Sequence, residues 1–389
     1  MTNFFQEYLN EQLQRVDANS LRRRLAHLET AQGVEIRIDN KSYLNFSSND
    51  YLGLAARSEL KAAAVQAVNL YGAGSGSARL ISGSNRLIHN LESSLATFKG
   101  VEASLCFSNG YNAALGAVTA LVGEGDIVVI DKLVHACMVD AAKLSGAKLR
   151  VFKHNDLTDL ERILQWADRG EGKTLILAES VYSMDGDIAP LRDIVELKNR
   201  YGAWLMVDEA HATGLYGKCR RGMAEEFGVG SQIDVQMGTL GKALGSAGGF
   251  VCGSQSLVDL LVNRARSFIF TTAPVPAQIS AAIKALEMVG SGEGELLRAQ
   301  LWSNVDRLKN GLIKLGWKLP TVRSAIVPIM VGDEAAAMAL SDRLRNAGVW
   351  VPAVRYPTVA KGSARLRLTL SASHKPEHIE AFLETLGNA

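Results

Sequence analysis

A chain of 389 residues, 47% apolar and 21% charged, can form one large globular unit or two domains and is too rich in core-forming residues to be disordered. Forty-two Lys+Arg against 40 Asp+Glu leave no charge excess that would hold nucleic acid or a membrane surface, so neither is expected as a partner. The four cysteines, Cys106, Cys137, Cys219 and Cys252, never fall at a C-x-x-C spacing; this argues against a zinc knuckle or dithiol motif and for a reduced compartment.

The N-terminus lacks the basic start and apolar centre of a secretory signal, and no apolar stretch reaches spanning length, so a soluble, cytoplasmic protein is expected. Residues 4–28 read as an amphipathic helix with Leu9, Leu13, Val16 and Leu21 on one face, and Arg22, Arg23 and Arg24 read as a solvated basic spot. Residues 34–38 alternate apolar and charged, as a short strand does. From residue 44 to 286 short apolar runs at 103–107, 127–130, 174–178, 203–207, 235–237 and 249–252 alternate with helical patterns. That alternation predicts a mainly parallel sheet covered on both faces by helices. A glycine-rich linker is expected at 290–294, followed by helix, strand (326–331), helix (334–347), strands (349–354 and 364–370) and helix (376–386), a small α+β unit. The expected division is an N-terminal helix and short strand over 1–45, a large domain over 46–288 and a small C-terminal domain over 289–389.

Several familiar motifs fail in detail. The stretch from Gly72 to Arg79 has Ser77 or Arg79 where a G-x-G-x-x-G pattern needs glycine, and Gly241-Lys242 is followed by Ala243 where a P-loop needs Ser or Thr. No G-x-S-x-G elbow occurs. Asp208 with His211, and His135 with Cys137, lack further ligands at metal-site spacing, so no metal is expected.

What does fit is the set of groups that pyridoxal phosphate (PLP) demands: an imine-forming lysine, an acid for the ring nitrogen, a flat partner for the ring and donors for the phosphate. Residues 204–207 form an apolar run ending in Asp208, and a carboxylate at the carboxyl end of a parallel strand faces the ligand crevice of such a sheet. There it would hold a pyridinium nitrogen protonated, although an ordinary solvated strand end is an equal reading of Asp208 alone. His211 can meet the cofactor's phenolic oxygen or merely cap a helix. Lys242 follows a short strand in a loop of small residues, where backbone and cofactor can approach closely. Gly110 and Tyr111 open an alanine-rich helix after the run 103–107, and free N–H groups at a helix start bind phosphate. Thr239 can add a hydroxyl, as can Thr271 and Thr272 if they reach across from a second subunit. His135, just after the run 127–130, can stack on the ring or be purely structural.

The stretches from Tyr43 to Leu54, Ser183 to Leu191, Val207 to His211, Thr239 to Gly245, Arg355 to Val359 and Gly362 to Leu370 together resemble the α-oxoamine synthase family of PLP enzymes, in the family's order and over residues 43–370. The resemblance implies a type I PLP-dependent transferase fold, with a mainly parallel seven-stranded sheet in the large domain, and a homodimer with active sites at the interface. It implies an acyltransferase that condenses L-alanine with a pimeloyl thioester to 8-amino-7-oxononanoate, CO2 and free coenzyme A or acyl-carrier protein, in biotin biosynthesis. Glycine, succinyl, acetyl or serine–palmitoyl chemistry of sibling synthases, and a non-catalytic scaffold of the same fold, are the alternatives. By resemblance Lys242 is the imine lysine and proton-transfer base, Asp208 the pyridinium partner, His135 the stacked ring, and His211 and Ser183 the phenolate-side groups. Gly110, Tyr111 and Thr239 match the phosphate region, and Arg355 the amino-acid carboxylate grip; Asn49 and Thr358 fall with it on the substrate side. Arg22 is similar to an arginine that meets the far carboxylate of the pimeloyl chain. Tyr356 replaces a usual proline, and Ser77-Ala78 depart from the usual Gly-Ser of the glycine-rich loop, both on the substrate side.

Overall fold

The computed structural model describes residues 3–18, 21–23, 25–320 and 323–388; Arg24 of the basic triplet lies outside the described residues. Strands β1 (Glu35–Ile38) and β2 (Lys41–Asn45) form an antiparallel hairpin around Asp39 and Asn40. Both turn residues have left-handed φ (49° and 62°), which Asp and Asn tolerate better than other side chains.

Seven strands make the main sheet: β3 (Ala103–Phe107), β4 (Ile127–Asp131), β5 (Lys148–Phe152), β6 (Thr174–Glu179), β7 (Trp204–Asp208), β8 (Val235–Thr239) and β9 (Gly249–Gly253). Their order is β3-β9-β8-β7-β6-β4-β5, and β9 alone runs antiparallel to its neighbours. Strands β3, β4 and β9 are buried at every position, which is why they read as unbroken apolar runs. The edge strand β5 escaped the sequence criterion because only Phe152 of Lys-Leu-Arg-Val-Phe is buried. Its cations lie over the Trp166 ring, at 4.6 Å for Lys148 and 4.5 Å for Arg150, covering an edge that would otherwise invite pairing.

Near the C-terminus β10 (Ile326–Gly332), β12 (Ala353–Val354) and β13 (Ala364–Thr369) form a small antiparallel sheet in the order β10-β13-β12. The single strand expected over 349–354 is two. Strand β11 (Val349–Trp350) pairs in parallel with β2, and the chain changes sheets at Pro352, which has no N–H for a ladder. The N-terminal hairpin is thereby bound to the C-terminal region.

Two further expectations change. The first helix spans Phe4–Ala18 and stops short of residue 28, with Leu21 N bonding back to Val16 O at 2.9 Å. None of its residues is buried, so no apolar contact extends it. The expected linker is a packed corner between the helices Pro276–Gly290 and Gly292–Lys314. Ser291 caps the second helix, and a Cβ at the buried Gly294 would collide with the Val289 carbonyl. Among the described residues no helix is long and apolar enough to cross a membrane.

Because β9 alone is reversed, β3, β4, β6, β7 and β8 all end on one edge, at Phe107, Asp131, Glu179, Asp208 and Thr239. The segments that follow those ends carry Gly110, His135, Ser183, His211 and Lys242.

Candidate active site

Asp208 is buried, and its Oδ1 accepts from Ala210 N at 2.7 Å. Burial pushes its carboxyl up, opposed chiefly by the Lys242 charge. Lys242 is pushed the other way: burial lowers its amine towards neutrality, against the pull of Asp208 and Glu179. Its Nζ lies 2.7 Å from His211 Nε2, and His211 Nδ1 lies 2.6 Å from Tyr51 Oη. Burial and the neighbouring Lys242 charge push His211 well down, so the imidazole is neutral and carries one N–H. Tyr51 is buried and its hydroxyl, pushed up to about 12 by burial, stays protonated. Lysine, histidine and tyrosine thus form one hydrogen-bonded line.

Glu179 ends β6 directly opposite Asp208 in the strand register. Its Oε2 accepts from Ser183 N at 3.1 Å, while its buried Oε1 has no partner. Burial first, and then Asp208, push this carboxyl up to about 8. Lys242 and two acids, Asp208 and Glu179, therefore meet in one water-poor site that disfavours every charged form.

Around this floor stand the expected cofactor groups. His135 caps the helix Ala136–Ser145, accepting from Cys137 N at 3.2 Å through Nδ1, and burial lowers its basicity. Gly110 opens the helix Gly110–Leu121 behind the Asn109 cap, where an added Cβ would lie 3.8 Å from the Thr239 Cβ. Strand β9 presses against that helix start so closely that any side chain at Gly249 would strike the Asn109 backbone. Tyr111 is 40% exposed and its hydroxyl donates to Asp140. The Thr239 hydroxyl donates to Gly248 O (2.9 Å) and accepts from Gly241 N (3.2 Å), bracing the loop that carries Lys242. Thr272 forms an antiparallel bridge with Ala78.

The substrate side opens into a cavity of about 1000 Å³ lined by Arg22, Arg23, Met184, Arg355, Thr358 and Arg367, among others. Asn49 Oδ1 accepts from both Nη1 and Nη2 of Arg367 (3.2 Å each) and from Tyr51 Oη (3.2 Å). That leaves the NH2 of Asn49 as its donor end for a ligand. Arg367 Nε also donates to the Ser183 carbonyl. Arg22 pairs with Asp17 at 3.6 Å, and Arg23 Nη2 donates to Thr358 Oγ1 at 3.2 Å.

The donor set suits PLP: a buried strand-end acid, an amine driven towards neutrality, a neutral histidine beside it, the glycine-led start of the helix Gly110–Leu121, and an orphaned buried carboxylate oxygen at the same edge. Three participants carried no role in the sequence reading: Tyr51, Glu179 and Arg367. Glu179 carried a usable signal, since it ends an apolar run as Asp208 does. Tyr51 and Arg367 lay inside the family-like stretches, but nothing local marks them as partners of His211 and Asn49.

Residues 41–386 match the aminotransferase class I and II family model, and fold and site together define a type I PLP-dependent transferase. The 8-amino-7-oxononanoate synthase of Citrifermentans bemidjiense is 47% identical over 371 residues, covering 95% of both chains. That of Geobacter sulfurreducens is 46% identical over 369 residues, covering 95% of this chain and 94% of the other. Among solved structures, Sphingomonas wittichii serine palmitoyltransferase superposes with a TM-score of 0.91 at 32% identity, covering 99% of this chain and 97% of that chain. The 8-amino-7-oxononanoate synthase of Francisella tularensis gives 0.75 at 30% identity, covering 89% and 97%. The chain belongs to the 8-amino-7-oxononanoate synthase family, within the α-oxoamine synthases.

Proposed function

We propose that this PLP-dependent acyltransferase condenses L-alanine with pimeloyl-CoA or pimeloyl-acyl-carrier protein, giving 8-amino-7-oxononanoate, CO2 and the free thiol carrier in biotin biosynthesis. The observation that carries the chemistry is the line Lys242–His211–Tyr51 beside the buried acids Asp208 and Glu179. The substrate pair follows from relatives up to 47% identical, named 8-amino-7-oxononanoate synthase. We place the enzyme in the cytoplasm as a homodimer, with residues 46–288 as the cofactor domain, 289–389 as the small domain and 1–45 as an N-terminal segment.

When bound, PLP supplies an electron sink for the pair left on the amino-acid Cα. Lys242 would hold the cofactor at rest, and its amine, lowered towards neutrality by burial, would take the Cα proton of bound alanine. Asp208 would keep the ring nitrogen protonated, which a carboxylate in a water-poor site does far better than an exposed one. His135 would pack on the ring face, His211 and Ser183 would serve its phenolic oxygen, and Gly110, Tyr111 and Thr239 would serve the phosphate. Thr271 and Thr272 serve the phosphate of the second subunit. Arg355 grips the alanine carboxylate in a two-point fork with the Asn49 amide beside it, fixing which Cα bond is cleaved. Arg22 meets the far carboxylate of the acyl chain, and Thr358 lines its path. The alanine Cα would then bond to the acyl carbonyl carbon, the thiolate would depart and take a proton from solvent, the carboxyl group would leave as CO2, and Lys242 would return its proton to Cα.

The likeness to serine palmitoyltransferase, at a TM-score of 0.91, favours a sibling synthase as the second reading. Assaying L-alanine, glycine and L-serine against pimeloyl, acetyl, succinyl and palmitoyl thioesters decides between them. Alanine with pimeloyl thioester is expected to dominate; faster turnover of glycine with acetyl-CoA would overturn the proposed substrates. A protein that binds PLP and turns over no pair would be the scaffold.

A further inference from the structure

Beside the His135 segment lies a second charge cluster that the proposed reaction does not use. Asp131, at the end of β4 with its side chain 0% exposed, accepts from Leu133 N (2.7 Å) and His154 Nδ1 (2.9 Å) through Oδ1, and from Asn155 N (2.9 Å) through Oδ2. The other imidazole nitrogen, Nε2, lies 2.6 Å from Asp187 Oδ2, which also accepts from Asn155 Nδ2 at 3.0 Å. Tyr182 meets the His154 ring edge-on, with centroids 4.4 Å apart. A neutral histidine donates to only one of two flanking acids, so this geometry calls for the doubly protonated ring. Burial alone would lower the His154 pKa; Asp131 and Asp187 outweigh it and push it up to about 10.

The two acids lead to opposite walls of the cofactor site. Asp131 fixes the turn at Leu133 that delivers His135. Asp187 closes a turn in which Tyr182 N donates to Asp187 O (2.9 Å) and Gly186 N to Tyr182 O (2.8 Å). That turn carries Ser183 and the cavity-lining Met184. Backbone pairing of β4 with β6 ends at Ile130 and Leu177, before either wall begins. Beyond that point the imidazole bridges the two segments.

We propose that His154 is a positioning residue: bridging Asp131 to Asp187, it holds the His135 turn and the Ser183–Met184 turn at a fixed separation around the cofactor. This rests on the PLP reading above. It asks nothing of His154 in bond making, because the ring touches neither Lys242 nor the cavity lining in the contacts described.

The test compares wild-type holoenzyme with His154→Gln and Asp187→Asn, measuring PLP affinity by visible absorbance titration of PLP-depleted protein, the induced circular dichroism of bound PLP, and the melting temperature. Arg220→Met is the control, because it removes a buried cation paired with Glu295 outside the site. His154→Gln is expected to weaken PLP binding about tenfold and to diminish the induced band, a loss equivalent to ~1.4 kcal/mol. Asp187→Asn should move both readouts the same way by less. Arg220→Met should lower only the melting temperature. Native PLP affinity and band in His154→Gln would overturn the proposal whatever its melting temperature, as would the same cofactor loss in Arg220→Met. Should His154→Gln fail to fold, Asp187→Asn decides by the same criterion. A wild-type protein that takes up no PLP would bring down the functional reading and this role with it, whereas equal loading of wild type and His154→Gln overturns the positioning role alone.

Discussion

The buried cluster around Lys242, the inner wall, and the lining of the cavity that holds Arg22, Arg355 and Thr358, the outer wall, are built on different physics. On the inner wall Asp208, Glu179, His211 and Tyr51 are buried at strand ends or packed against them, and each titrates away from its ordinary range because water is excluded. On the outer wall Arg22 and Asp17 are 43% and 56% exposed, Thr358 is exposed and Arg355 is half-buried. In the proposed reading, charges in that setting recognise a carboxylate through solvated, adjustable contacts that salt screens more than it screens the buried groups. The proposed roles thus place reaction type in the buried wall and substrate identity in the exposed one.

The largest break in this contrast is expected on the inner wall. Lys242→Ala should abolish turnover, by roughly a thousandfold or more, together with the borohydride-reducible chromophore; a surviving Schiff base would put the lysine elsewhere. Asp208→Ala should follow, lowering kcat by about a hundred- to a thousandfold, as loss of a preorganised electrostatic partner does. Near-normal kcat there would show that the ring nitrogen does not depend on this acid.

Outer-wall variants should change binding and leave the cofactor in place. Arg355→Ala should raise KM for alanine by about a hundredfold, the scale of a lost charge-assisted fork, with the protein still yellow; a colourless product would contradict the division between walls. Arg22→Ala should cost about tenfold with pimeloyl thioester and spare a plain acyl thioester. Equal losses on both would remove its proposed role.

The smallest effect sharpens the contrast through pH. Glu179 holds its proton in the folded protein up to about 8, well above an ordinary carboxyl group. The folded state therefore binds more protons than the unfolded chain between the ordinary carboxyl range and pH 8, and stability falls as pH rises through that window. Glu179→Gln should flatten that slope, moving the melting temperature by a few degrees at pH 8 relative to pH 5. An unchanged slope would mean that the acid is ionised throughout.

Much of this was legible in the chain alone. Asp208, Lys242, His135 and Gly110 each stand just beyond an apolar run, and the carboxyl ends of parallel strands are where ligands bind. Strand β5 was not legible, because an edge strand needs only one buried side chain and Lys148 and Arg150 break the pattern. The break at Pro352 was missed because two strand halves with similar composition serve different sheets. Glu179 looked like any strand-terminal acid until β7 brought Asp208 alongside it.

Local periodicity and residue type determined which segments would be buried strands, which edge of the sheet would be chemical, and which cofactor would suit it. These follow from burying apolar side chains at a repeat of a few residues, which the order of amino acids states directly. Tertiary structure alone decided the partnerships: Tyr51 with His211 across 160 residues, Asn49 with Arg367 across 318, and His154 between Asp131 and Asp187. Hydrogen bonds act over about 3 Å and are blind to distance along the chain, so they exist only once the apolar core has brought distant segments together.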